Sequence, residues 1–122
     1  MREYLFEVCA NSVESCMAAQ AAGGATRVEL CAGIPEGGTT PSYGDIVIAR
    51  EVLQNTRLHV IIRPRGGDFL YSPIEQHIML KDIDNARRLE ADGIVLENGR
   101  VNLKKYGINV EEMLAQRELE HN

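Results

Sequence analysis

The sequence predicts an α/β protein built from parallel (β/α) units of the TIM-barrel type, with about four strands, or half of such a barrel. Three observations predict it. Short apolar runs of period two alternate with longer stretches of period 3.6. The segment "GGATRVEL" (23–30) shares an A-x-x-[VI]-x-L core with "RLEADGIVL" (88–96), as a repeated βα unit would. Consecutive strands are separated by a helix, and such a crossover makes them parallel and right-handed.

The elements follow in order. "YLFEVC" (4–9) is the first strand, and Asn11 with Glu14 three residues later resembles a capping box that opens a helix. That helix carries Val13, Cys16, Met17 and Ala21 on one stripe and stops at Gly23-Gly24. "RVELC" (27–31) is the second strand, followed by the turn-rich loop "AGIPEGGTTP" and a helix capped by Ser42, with Asp45 in its first turn. "LHVIIRP" (58–64) is the third strand. Ser72-Pro73-x-Glu75 then supplies a cap, a proline at the first helical position and the reciprocal acid, for a helix running to about residue 89. "DGIVLE" (92–97) is the fourth strand. Beyond it "NGRVNLKKYGIN" reads as loop, and Asn109 with Glu112 caps a short charged helix in a divergent tail, 98–122.

Composition narrows the function classes. A chain of 122 residues, 44% hydrophobic, suits one domain over 1–122 with one core. Its net charge of −5 and the absence of a basic run argue against nucleic acid or an anionic membrane as partner. The opening "MREYLFEVCA" is too short in its apolar part for a signal peptide or a span, so the chain reads as cytoplasmic. Three cysteines, spaced seven and fifteen residues apart, fit neither a disulfide framework nor a zinc knuckle and read as reduced thiols.

Strand alternation puts Glu7 with Cys9, Glu29 with Cys31, and Arg63 with Ile61 and His59 on shared faces. The carboxyl ends of parallel strands are where such folds place their sites, so these residues read as a pocket mouth. Arg63 completes an inward-facing charge cluster with the glutamates, while Arg65 stands at the rim for an anion; the alternative is an internal ion pair that closes a barrel core. The loop "RPRGGD" adds an anion site: Arg63 and Arg65 as clamps, with Gly66 and Gly67 allowing close backbone approach. Glu7, Glu29 and Asp68 are the candidate acids or bases for a barrel enzyme acting on a small anion. Cys9 and Cys31, at the ends of neighbouring strands about 4.8 Å apart, are candidate metal ligands, and soft thiolates favour Cu(I). The other reading is that both cysteines are small core fillers. Cys16 reads as packing, His59 as lying toward the closed end, and His77 and His121 as lacking metal-ligand spacing.

"FEVCANSVES", "GGATRVELCAGIPEGGTTPSYG" and "IIRPRGGDFLYS" resemble the first half of the CutC family of copper homeostasis proteins, over about residues 4–96. The resemblance implies a (β/α)8 barrel, a cytosolic location and a role in copper handling, with Cys9 and Cys31 falling on the cysteines proposed to hold Cu(I). Complete barrels run to ~250 residues, and the family's later "FHRAFD" segment is absent here, so the chain reads as a half or truncated barrel. "ENGRVN" follows "DGIVL" at once, and "LKKYGINVEEMLAQRELEHN" has no counterpart in the resemblance. Half a barrel has two open edges, at the first and fourth strands, and one bared apolar face, so either two chains associate or the last segment folds back over the exposed surface; the narrow apolar stripe of the tail helix favours a homo-oligomer, most simply a dimer. Three functions stay open: copper binding, catalysis on a small anion, and an inactive truncated form.

Overall fold

The computed structural model describes residues 7–23, 27–96 and 99–102. Strands β1 (Glu7–Ala10), β2 (Arg27–Leu30), β3 (Arg57–Ile61) and β4 (Gly93–Leu96) alternate with helices α1 (Val13–Ala21), α2 (Tyr43–Val52) and α3 (Pro73–Arg88). The four strands are parallel and lie in chain order, as successive right-handed βα units require. A fifth strand, β5 (Gly99–Asn102), runs antiparallel to β4 with Leu96 opposite Gly99 and Gly93 opposite Asn102. The segment expected to be loop thus continues the sheet. The expected open edge at the fourth strand is corrected as well: β5 occupies it, and among the described residues the sheet edges are β1 and β5.

Strand alternation builds one core. Val28, Leu30, Leu58, Val60, Ile62, Ile94 and Leu96 pack with Cys16, Ile46, Met79 and Ile83 from the helices and with Leu53 just after α2. The opposite face differs from the apolar surface expected of it. Its lower row pairs Glu7, Arg27 and Arg57 across three strands, the next row aligns Cys9, Glu29, His59 and Gly93, and the row above sets Ile61 beside Val95. Charge, sulfur and imidazole stand there because these positions alternate with the core positions along each strand.

The caps hold with one shift. Ser42 accepts from the Asp45 amide, and Ser72 with Glu75 forms the complete capping box. In α1 the cap is Ser12, not Asn11: its hydroxyl accepts from the Ser15 amide at 3.1 Å, while Asn11 Oδ1 accepts from the Ser15 hydroxyl. The buried stripe of α1 accordingly rests on Cys16, with Val13 and Ala19 packed beside the core, whereas Met17 and Ala21 are exposed. Three-residue steps from Val13 reach Cys16 and Ala19, and Met17 falls past the edge of that stripe. Burial, and next the nearby Asp45 charge, push the Cys16 thiol up to about 11, in keeping with a packing role. No helix among the described residues is long and apolar enough to cross a membrane, and the expected cap at Asn109 lies outside the described residues.

Candidate functional site at the carboxyl ends of the strands

Two loops form the rim above the sheet. The loop after β2 closes on itself through an antiparallel bridge between Ala32 and Thr39, around a short 3-10 turn at Ile34–Glu36. Gly37 and Gly38 leave that turn at φ +88° and +98°, a region costly for any residue with a Cβ. The loop after β3 begins where the ladder ends. The Ile62 amide still donates to Val95, but Arg63 turns away and exchanges bonds with Thr40, which donates from its amide to the Arg63 carbonyl at 2.9 Å. The Thr40 hydroxyl in turn accepts from the Arg63 amide at 2.8 Å.

The two arginines of "RPRGGD" have different partners. Arg63 does not reach Glu7 or Glu29, as the charge-cluster expectation required. Its Nη1 donates to the carbonyls of Glu36 at 2.7 Å and Gly38 at 3.2 Å, its Nη2 donates to Gly67 at 2.9 Å, and its guanidinium lies 5.0 Å from the centre of the Phe69 ring. It joins the two loops, and its Nε is buried without a hydrogen-bond partner. Arg65 donates from Nε and Nη2 to the two oxygens of Glu75, from Nη1 to the carbonyls of Gly66 and Asp68, and from Nη2 to Asp68 Oδ1 and the Leu70 carbonyl. Where the sequence suggested a guanidinium open to an external anion, the structure engages it with Glu75 and Asp68. The Ser72 amide, and next Arg65, hold the Glu75 carboxyl below the usual carboxylate range. Sequence reasoning read Glu75 only as a helix cap; its second task on Arg65 joins the rim to α3.

The glycines answer to packing. A Cβ at Gly66 would come 2.9 Å from Glu36 Cβ, so this glycine lets the two loops touch. Gly67, at φ +89°, has its carbonyl in reach of Arg63.

The candidate acids are not gathered at one point. Glu7 accepts from Arg27 at 3.1 Å in the lowest row, Glu29 lies one row higher, and Asp68 is exposed on the rim, where it accepts from the Leu70 amide. His59 is buried and level with Glu29, two positions below Ile61, on the closed side of the site. Cys9 stands in register with Glu29 on β1, and Cys31 follows β2 with its amide donating to Ala10. The two sulfur residues therefore share a face of neighbouring strands, one row apart. Cys9 is exposed and Cys31 is buried, its thiol donating to the Ala10 carbonyl. Burial first, then the neighbouring Cys9 and Glu29 charges, push the Cys31 thiol up. Among the described residues no three histidine, cysteine or acidic side chains converge as a metal site.

Beside this pair, at the ends of β3 and β4, lies a pocket of about 170 Å³ lined by Gly37, Gly38, Ile61, Arg63, Phe69 and Val95, among others. A second, more polar cleft of about 280 Å³ lies at the opposite end of the sheet, around Arg50, Arg57 and Asp92, away from the sulfur pair.

The sequence matches the CutC family over residues 4–116. It is 78% identical over 95 residues to a CutC family protein of Bacteroides fragilis, covering 78% of this chain and 38% of that protein. A CutC family protein of Bacteroides thetaiotaomicron is 72% identical over 107 residues, covering 84% of this chain and 43% of the relative. Among solved structures, CutC of Streptococcus agalactiae is similar with a TM-score of 0.69 and 41% identity, over 79% of this chain and 48% of that one. The chain thus spans less than half the length of these relatives.

Proposed function

Because the chain belongs to the CutC family, we propose that it serves copper homeostasis in the cytoplasm by holding Cu(I) between Cys9 and Cys31. The observation that carries this reading is the placement of two thiols on one face of adjacent parallel strands, one row apart. With strands ~4.8 Å apart and a rise of ~3.3 Å per residue, their Cα atoms are about 8 Å apart. That is beyond the roughly 7 Å limit for a disulfide. It suits two sulfurs with an ion between them, since metal–sulfur bonds near 2.3 Å span about 4.6 Å. A soft monovalent ion accepts such a two-thiolate site, whereas zinc in structural sites takes four donors. The Streptococcus protein, which is provisionally named for copper homeostasis, supports the same reading. Bound Cu(I) would be the cargo, and the protein's part is to keep both thiols reduced and unable to pair with each other.

Anaerobic competition with a chromogenic Cu(I) chelator tests this. The parent chain should withdraw one equivalent of Cu(I), and Cys9→Ser with Cys31→Ser should lose that capacity while keeping the parent's circular dichroism spectrum. Unchanged affinity in the double variant would remove the ligand assignment. Oxidant treatment should leave both thiols titratable in the unfolded protein; an intramolecular Cys9–Cys31 disulfide would contradict the spacing.

The working form, we further propose, is a homo-oligomer, most simply a dimer. Among the described residues β1 lies at an edge of the sheet, and an edge strand offers its backbone groups to a second chain. A melting midpoint that climbs with protein concentration is the expected result. A 13.5 kDa species in light scattering, with concentration-independent melting, would rule it out.

A further inference from the structure

We propose that the pocket at the carboxyl ends of β3 and β4 binds a small organic anion, a carboxylate on an apolar or aromatic body, with Arg63 as its cation. Among the described residues four arginines are half-buried: Arg27, Arg50, Arg63 and Arg65. Three of them have a carboxylate partner, in Glu7, Asp92 and Glu75 respectively. Among the described residues Arg63 has none; its Nη groups reach only the neutral carbonyls of Glu36, Gly38 and Gly67. Among the described residues no carboxylate offsets its charge. Nη2 makes one hydrogen bond, to Gly67, and keeps a second N–H for a ligand, which an anion would accept as a charge-assisted bond.

The walls decide the rest of the ligand. Ile61, Val95, Phe69 and Tyr71 line the same pocket, so its surface suits an apolar body more than a fully hydrated ion. Inorganic phosphate would exchange its hydration for apolar walls and a single cation. A neutral ligand would leave the guanidinium charge as it is. The glycine pair keeps the space clear: a Cβ at Gly37 would come 3.0 Å from Arg63 Nη1, and one at Gly38 would come 3.3 Å from Ile61 Cδ1. The Phe69 ring beside the guanidinium fixes its plane and adds an attraction that does not use its hydrogen bonds. This site is independent of copper, and its test contains none.

Titration calorimetry of the full chain with benzoate, benzamide and inorganic phosphate distinguishes the possibilities. Benzoate should bind saturably and about tenfold or more tighter than benzamide, the size of one hydrogen bond to a charged group. Phosphate should bind more weakly than benzoate. Arg63→Gln should abolish the preference for benzoate over benzamide. Since that variant also loosens the loops, Val95→Phe serves beside it: it fills the pocket, leaves the Arg63 contacts in place, and should remove benzoate binding. Equal affinities for benzoate and benzamide, tighter binding of phosphate, unchanged benzoate binding in Val95→Phe, or no saturable benzoate binding at millimolar concentration would each overturn the proposal.

Discussion

Ile83→Ala should destabilise the chain by about 2–5 kcal/mol, the range for truncating a large aliphatic side chain in a packed core. Ile83 is wholly buried on α3, among the residues that seat this helix on the sheet. A small domain has only about 5–15 kcal/mol in total, so the variant should stand close to its unfolding threshold at ambient temperature. Urea titration checks it, with Ile78→Ala as comparison. Ile78 lies on the exposed side of the same helix, and its truncation should stay within about 0.5 kcal/mol. Equal losses in both variants would mean that α3 is not seated by the face on which Met79, Ile83 and Ala86 are buried.

The second large effect is expected at Asp92, just before β4. Its Oδ2 accepts from the Leu58 amide at 2.8 Å and from Arg50 Nη1 at 2.9 Å, while its own amide donates to the Leu58 carbonyl. Asp92→Ala should leave the amide of a buried residue without its acceptor, at about 1–3 kcal/mol, and Arg50 without its carboxylate. Asp92→Asn keeps an acceptor for Leu58 and should lose distinctly less. Urea midpoints together with hydrogen exchange at the Leu58 amide separate these outcomes. Protection at Leu58 that is the same in the alanine variant as in the parent would show that the Asp92 side chain does not fix the start of β3.

Legibility of the site depended on distance along the chain. Cys9 with Glu7, and Cys31 with Glu29, could be assigned to one face because alternation within a strand is a local rule. That Cys9 stands level with Glu29 and His59, with Cys31 one row higher, is a matter of register between strands, which no single strand specifies. The arginines show the same limit from the other side. "RPRGGD" marked a rim loop correctly, since proline and paired glycines restrict the backbone at their own positions. Which carbonyls and carboxylates meet the two guanidiniums depended on residues up to 27 positions away, as in the Arg63 bond to Glu36. Glu75 was visible as a cap because a capping box closes within three residues, while its bond to Arg65 lay beyond that window.

By itself, then, the sequence determined the alternation of strands and helices, the parallel order of the first four strands, and the caps at Ser42 and Ser72. These rest on periodicity, on crossover length and on side chains that reach their own backbone. Only the tertiary structure decided that residues 99–102 reverse onto β4, that Arg65 belongs to Glu75, and that Arg63 is the half-buried arginine left without a carboxylate among the described residues. Each depends on which surfaces meet when the units pack. An edge strand takes whatever extended segment reaches it, and a guanidinium bonds the acceptors that the folded loops bring within about 3 Å of its nitrogens.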